Sequence, residues 1–567
     1  MPQKAFDSPL TSFYGWEKSH PERVFLRQPE GDTWHESTYA EAGQEARRMA
    51  SALLALGIKP GDHVGILSKN CQHWIMADLA IMMAGMVSVP LYPNLTAEQI
   101  RDVLQAGDVK LCFIGKLDAW EPTTLDALPD LPWIAFPPYP GNAPVSGPAE
   151  RGYDWATLTA KHSAVTGEPH PPADSPWTIL FTSGTTGRPK GAVHSWERVG
   201  HQLRVEREQN LLGVGAIENP WFFSFLPLNH VAERLAIEFL ALLYGGTISF
   251  GESLERFPRN LQATQPHLFL AVPRIWSKFQ LAILQRLPQK RLDLLLRIPG
   301  LSGFFIRKLK KGLGLSRAVT VLTGASMTPD HLKDWYARLG IHLREVYGST
   351  ELMGAASAMP ADDIRRGSVG KLNEIFDARI DPVSGEIQVK VPWVMTWYYN
   401  DPDLTARVLR DGWYHTGDRG TLNDDGFLSI TGRIGDAFKT AKGEFVAPAP
   451  IEEAFAETPL LEQVCVAGLG MPQPLALVNL SEIGAALPKG ELQHALDDLR
   501  QRVNQNLAAH ERISTVVITP DAWTVDNAMI TPTMKIRRGS IQEAYGPHLA
   551  AWHDDASSVL HPPNTAP

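Results

Sequence analysis

Cysteine is almost absent. Cys71, Cys112 and Cys465 are the only three in 567 residues, and their spacing suits neither a disulfide framework nor a metal site. That usage fits a reducing compartment. The N-terminal stretch MPQKAFDSPLTSFYGWEKSHPERVFL holds no continuous apolar run of the kind a secretory signal needs, so a cytoplasmic protein is expected. Long hydrophobic runs are missing elsewhere too. The most apolar window, WIMADLAIMMAGMVSVPLY at 74–92, is interrupted by Asp78, Gly85 and Pro90, and reads as a buried helix running into a strand rather than a membrane span. A positive balance is also lacking: the formal net charge is −9, which argues against nucleic acid as a partner held through the overall field. Internal repeats and long low-complexity tracts are absent.

What is present describes a globular chain, with 44% hydrophobic and 20% charged residues. Its length exceeds one ordinary core and implies at least two domains. Residues 38–57 have helical periodicity and end at Gly57. Residues 59–68 (KPGDHVGILS) read as a turn followed by a strand, then come helix 72–85, strand 86–92, helix 97–105 and strand 109–115. Such alternation predicts a parallel sheet with helices on its faces. Residues 119–176 are rich in proline and read as a surface connection, with WIAF at 133–136 as a candidate strand. From the glycine- and charge-rich turn at 431–444 onward, a separate small α/β domain is expected.

Four constellations carry candidate chemistry. LFTSGTTGRPKG at 180–191 follows an apolar strand and offers backbone N–H groups, hydroxyls and one ammonium, a good receptor for polyphosphate and equally an ordinary polar turn. It is not a nucleotide-hydrolase P-loop, because Lys190 follows Pro189 and precedes Gly191. VTVLTGAS at 319–326 and IHLREVYGSTE at 341–351 are strands ending in small-residue turns, where open α/β sheets bind ligands. Tyr347 offers a face for a base, Thr350 a hydroxyl and Glu351 a hard oxygen; a core tyrosine beside a helix cap is the plainer alternative. In DGWYHTGDRG (411–420) and GRIGDAFKTAKGE (432–444), Asp418 and Arg433 suit sugar hydroxyls or a phosphate, or a simple turn. ITPTMKIRR at 530–538 places Lys535 in a basic stretch that is otherwise a solvated charge run.

Taken in this order, the motifs resemble those of the adenylate-forming superfamily of acyl-CoA synthetases, luciferases and peptide-synthetase adenylation domains, over about residues 15–540. The resemblance implies an α/β fold: a large N-terminal domain (1–435) of αβα-layered subdomains with a small barrel-like subdomain, then a small mobile C-terminal α+β domain (436–567). It implies ATP, magnesium and coenzyme A. Thr182, Ser183, Gly184, Thr185, Thr186, Gly187 and Lys190 would hold the β- and γ-phosphates. Gly324, Ala325 and Ser326 would line the adenine side, with Tyr347 and Gly348 against the ring. Thr350 would touch the α-phosphate, Glu351 and Thr186 would hold magnesium, and Asp418 and Arg433 the ribose. Lys535 would enter the site from the small domain, which would pivot about Asp436 and bring in Lys442 and Gly443 for thioester formation. Two positions depart from the common pattern: Gly435 stands where lysine is frequent, and Met534 where glycine is frequent, the latter as in the long-chain acyl-CoA synthetase branch.

For the acyl group, FSFLPLNHVAERL at 223–235 shows no aspartate of the kind that amino-acid-activating members use, and VPRIWSKF at 272–279 is similar to long-chain synthetases. Trp221, Phe222, Phe223, Phe225 and Trp276 suit an apolar tunnel or plain core, and His230 suits the border of the site or a structural role. Residues 277–317 carry ten Lys or Arg against one acid, Asp293. The stretch 284–314 is basic and amphipathic, which suits either peripheral membrane contact or a solvated helix pair. The expectation is an AMP-forming ligase of medium- to long-chain fatty acids with coenzyme A, monomeric or homodimeric. Its competitors are a ligase for another hydrophobic, hydroxy or aryl acid or with a different acceptor, and a nucleotide- or acyl-adenylate-binding protein without turnover.

Overall fold

The computed structural model describes residues 7–118, 128, 131–140, 142, 152–183, 189–531, 535–555 and 557–562. The chain forms two compact units, one of Met1–Ala325, Tyr336–Ala361 and Lys390–Arg407, the other of Ser326–Trp335, Asp362–Val389 and Val408–Pro567.

The first unit holds two large sheets. One runs in the order Trp397–Tyr398, Pro189–Ser195, Pro176–Ser183, Val87–Leu91, His63–Leu67, Val109–Ile114, Trp133–Ala135, Gly152–Asp154. From Pro176–Ser183 to Gly152–Asp154 its neighbours pair parallel, while Pro176–Ser183 and Pro189–Ser195 form an antiparallel hairpin. Parallel strands covered on both faces need continuous apolar sequence, which is why VSVPL and VKLCFI are strands with scarcely an exposed position. Helix Tyr39–Ala55 opens with a capping box, Thr38 and Glu41 each bonding the other's backbone N–H. Helix Gln72–Met83 is buried at every position after Gln72, so the apolar window at 74–92 is indeed interior helix and strand. The second sheet includes, in order, Gly354–Ala358, Arg344–Ser349, Thr320–Gly324, Leu268–Ala271, Trp221–Ser224, Thr247–Phe250, Val24–Glu30 and Thr33–Thr38. No helix among the described residues is long and apolar enough to cross a membrane.

The second unit contains a five-stranded antiparallel sheet of Asp377–Ile380, Glu386–Lys390, Trp413–Leu422, Leu409–Arg410 and Leu428–Arg433. It also contains the four-stranded sheet Leu461–Ala467, Leu475–Leu480, Val516–Ile518, Val559–Leu560. Alternation along these last strands sorts side chains onto two faces. Val464, Val466, Ala476, Val478, Val516 and Ile518 join one core with Ile451, Phe455, Leu492 and Leu496. Cys465, Ala467, Leu475, Leu477 and Val517 join another with Ile541, Tyr545, Leu549 and Trp552. Helices therefore cover both faces of the sheet.

Candidate functional site

In the first unit, the hairpin of Pro176–Ser183 and Pro189–Ser195 sets Thr182 directly opposite Lys190. Gly191 is needed there, because a Cβ would lie 2.7 Å from Ile179 and 2.9 Å from Phe181. Ser183 ends the first strand, and Gly184, Thr185, Thr186 and Gly187 lie outside the described residues.

Two parallel neighbours, Thr320–Gly324 and Arg344–Ser349, deliver the next residues at their carboxyl ends. Ala325 follows Gly324 at φ 69°, a left-handed turn that a residue with a Cβ rarely adopts. Tyr347 and Gly348 lie on the second strand. A Cβ on Gly348 would fall 1.8 Å from the Gly354 carbonyl oxygen, so only glycine permits this close pairing. His194, four residues beyond Lys190 on the same strand, places Nε2 2.9 Å from the Thr350 carbonyl oxygen. Tyr398 Oη donates to Glu351 Oε1 at 2.5 Å, and Met395 N donates to the Glu351 carbonyl at 2.6 Å. The turn of Thr350 and Glu351 is thus fastened to the Lys190 strand and to the segment 395–398. His194 is fully buried, and burial pushes its pKa down to about 3, leaving a neutral ring. Sequence reading missed both His194 and Tyr398; a lone histidine in the apolar run AVHS was the available signal.

The same unit holds an aromatic wall. Phe225 stacks on Phe269 at 5.5 Å and meets Phe257 at 4.9 Å; Phe269 meets Trp276 at 5.4 Å, and Trp276 meets Phe279 at 5.9 Å. Trp276 is fully buried, its indole N–H donating to the Ala271 carbonyl at 3.2 Å. Trp221 does not join the wall. It occupies the amino end of strand Trp221–Ser224, between the guanidinium groups of Arg27 and Arg317 at 4.5 and 4.9 Å, in a polar cleft with Arg23 and Glu218. Trp221, a candidate for lining an acyl tunnel, thus stands at the amino end of its strand, while Phe225 follows the carboxyl end.

His230 caps the helical segment that follows, its Nδ1 accepting from Ala232 N at 3.2 Å. The loop 224–233 is held by two buried groups that sequence reading passed over. Asn70 donates to Ser224 Oγ at 2.8 Å and to the Leu226 carbonyl at 2.6 Å. Glu233 accepts from Ser224 Oγ and Phe225 N, both at 2.9 Å, and its burial pushes its pKa up to about 8.

In the second unit, Asp418 and Arg433 are cross-strand partners, with Arg433 Nε donating to Asp418 Oδ1 at 3.0 Å. Thr416 Oγ1 accepts from Asp418 N at 3.1 Å, and Glu386 Oε1 accepts from Gly417 N at 3.0 Å, fixing the turn. Ser326 belongs to this unit. Asp436 ends a short 3-10 turn and lies 3.6 Å from Arg538 Nε. Lys442 and Gly443 form the tip between strands Phe438–Lys439 and Phe445–Val446, where Gly443 takes φ 81°. Lys535 is exposed on a small ladder: its N–H donates to Thr531 Oγ1 at 3.1 Å, and its carbonyl accepts from Thr531 N at 2.7 Å. Met534 lies outside the described residues. No group of three or more His, Cys, Asp or Glu among the described residues is placed to hold a metal by itself.

The chain is similar over nearly its whole length to known proteins. It is 28% identical to the long-chain-fatty-acid–CoA ligase FadD15 of Mycobacterium bovis, over 96% of this chain and 97% of that one. It is 25% identical to long chain acyl-CoA synthetase 2 of Arabidopsis thaliana, over 95% and 91%. Its fold superposes on the adenylation domain of the carboxylate reductase of Mycobacterium chelonae with TM-score 0.78 at 21% identity, covering 98% of this chain and 92% of the other. The anthranilate CoA ligase AuaEII, solved with anthranoyl-AMP, gives TM-score 0.74 at 19% identity, covering 97% and 99%. The family model for the AMP-binding enzyme matches residues 13–399, and that for the AMP-binding enzyme C-terminal domain matches 436–556. With the motif strands, the fold and these matches in agreement, the chain belongs to the AMP-binding enzyme family, within the adenylate-forming superfamily.

Proposed function

We propose that this protein is an ATP-dependent, AMP-forming fatty acid–CoA ligase for medium- to long-chain acids. The observation that carries the reading is the single assembly of Lys190, Thr350 and Glu351 through His194 and Tyr398, in the same unit as a cluster of packed aromatic rings. The names of the relatives, long-chain ligases and synthetases at 25–28% identity, support the substrate class.

In this reading a carboxylate oxygen of the acid attacks the α-phosphorus of ATP, and the bond to diphosphate breaks. The sulfur of coenzyme A then attacks the acyl carbon, losing its proton, and AMP leaves. The substrate carboxylate is already ionised at neutral pH, so no serine nucleophile or base triad is required. Positioning and charge neutralisation are what the chain must supply. Lys190 and residues Thr182 to Gly187 hold the β- and γ-phosphates, and Thr350 touches the α-phosphate. Gly324, Ala325, Ser326, Tyr347 and Gly348 hold the adenine, and Asp418 and Arg433 the ribose. Glu351, with Thr186, would hold magnesium, which when bound supplies neutralisation of the phosphate oxygens. Phe225, Trp276 and their ring neighbours receive the acyl chain. Residues 436–567 act as the moving domain about Asp436, presenting Lys535 in the first half-reaction and the turn of Lys442 and Gly443 in the second.

The test is AMP release across saturated acids from acetate to about twenty carbons, with and without coenzyme A. Activity that peaks at long chains and requires coenzyme A is expected. A preference for aryl or hydroxy acids, or AMP release without thioester, would overturn the substrate or acceptor assignment.

A further inference from the structure

The helix Pro273–Arg286, which supplies Trp276 and Phe279 to the aromatic wall, runs directly into two further helices, Gln289–Arg297 and Leu301–Gly312. Pro288 and Pro299 separate them. Helix Leu301–Gly312 has sequence LSGFFIRKLKKG and no fully buried side chain, and only Leu292 is buried in Gln289–Arg297. Short helices are marginal without burial of an apolar face, so these two lack the usual source of stability.

Their outer corner is apolar and cationic together. Leu294 is 62% exposed, Ile298 39%, Leu301 44% and Phe304 59%. Around them stand Lys290, Arg291, Arg297, Arg307, Lys308 and Lys311, all exposed. On a helical projection Leu301, Phe304, Lys308 and Lys311 share one side of their helix. The single acid of the segment, Asp293, is engaged by Arg338 and by Gln289 Nε2 at 2.7 Å. Lys310 is fastened inward, its Nζ donating to the Gly340 carbonyl at 2.5 Å. A merely solvated helix pair would expose its charges and cover its leucines and phenylalanine. Here both are outside.

We propose that the corner of Leu294, Ile298, Leu301 and Phe304 with its surrounding lysines and arginines docks on an anionic lipid bilayer surface. Apolar side chains enter the headgroup boundary while the cations face anionic headgroups, the combination that interfacial helices use. Positive charge selects an anionic surface over a neutral one, and the exposed apolar corner distinguishes it from a site for a small soluble anion. The helix that bears Trp276 gives the contact a use, because it is joined through two consecutive helices to the proposed membrane corner. That use rests on the fatty-acid reading; the contact itself does not.

The vesicle measurement uses the full chain without ATP or coenzyme A, so its outcome is independent of the ligase reading, which only the turnover control requires. Sedimentation is measured with phosphatidylcholine vesicles, with and without roughly one third phosphatidylserine. Binding to the anionic vesicles is expected, together with release at about 0.5 M salt. The variants L294S/F304S and R291E/K308E should each lower vesicle partition at least about tenfold. Their unfolding midpoints and turnover of a water-soluble short acid should stay at the wild-type values. Undiminished partition in both variants, or equal binding to neutral vesicles, would overturn the proposal. So would a change of oligomeric state in L294S/F304S with vesicle binding intact, which would assign the corner to self-association.

Discussion

Lys535 is exposed, with its backbone laddered to Thr531, so its side chain can be removed without opening a core. In the proposed mechanism it neutralises charge only while the adenylate forms. K535A should therefore slow adenylate formation about 100-fold, near 3 kcal/mol of barrier. Thioester formation from supplied acyl-adenylate should change little, and single-turnover assays of each half-reaction separate the two; equal losses would refute the assignment. His194 makes a second prediction. Burial, followed by the nearby charges of Arg198 and Arg234, holds its pKa at about 3, against an upward pull from the Thr350 carbonyl. Below about pH 6.5 the unfolded chain binds a proton that the folded chain refuses, so this residue lowers stability as pH falls towards 3 and contributes no slope above that window. H194Q should flatten that part of the dependence, by up to ~1.4 kcal/mol per pH unit, in urea unfolding between pH 7 and 5. Parallel curves for both proteins would exclude a buried neutral ring.

Among the elements, the start of helix Arg538–Asp554 concentrates several interactions on one side chain. Arg538 Nη2 donates to both Glu452 oxygens at 2.8 Å, and Nη1 donates to the Val466 carbonyl at 2.9 Å. Its Nε lies 3.6 Å from Asp436. One side chain therefore joins helix Pro448–Phe455, strand Leu461–Ala467 and the turn at Asp436, three residues from Lys535. Burial pushes the Glu452 carboxyl up, and Arg538 opposes that shift by favouring the charged form. Removing the cation leaves Glu452 buried without its partner. R538Q should destabilise the 436–567 region by about 2–4 kcal/mol, less than a fully buried pair because Arg538 is partly exposed. Denaturant unfolding read through Trp523 and Trp552 measures it. Stability unchanged within 0.5 kcal/mol, about the error of such a measurement, would show the cluster to be energetically neutral.

For the whole molecule, the proposal requires residues beyond Asp436 to take two poses through one pivot. Proline fixes φ near −65°, so D436P should admit one pose and exclude the other. One half-reaction is then expected to fall at least about tenfold while the other stays within about threefold. Stopped-flow adenylate formation and thioester formation from supplied adenylate give the two rates. Equal slowing would place the pivot elsewhere.

How much was legible follows from the range of each interaction. The alternation of helices and strands from Tyr39 to Ile114 lies within one or two residues of its sequence reading, because parallel strands buried on both faces must be short continuous apolar runs. The breaks at Pro288 and Pro299 were equally local. The motif strands could be read because hydroxyl and glycine turns behind apolar strands are themselves sequence patterns. The role of Trp221 was not legible: only the direction of its strand sends it to Arg27 and Arg317 rather than to the aromatic wall. Nor was the buried group in which Arg234 meets Asp78, Glu238 and Thr178, since Arg234 and Asp78 are 156 residues apart. His194 and Tyr398 gained their places at Thr350 and Glu351 in the same way, from opposite ends of intervals of 156 and 47 residues. The sequence by itself determined the elements, the order of the motifs and the family, all carried by neighbours along the chain. Only tertiary structure decided which polar groups share a dry interior and which leucines stay outside, because burial is a property of surfaces brought together from distant segments.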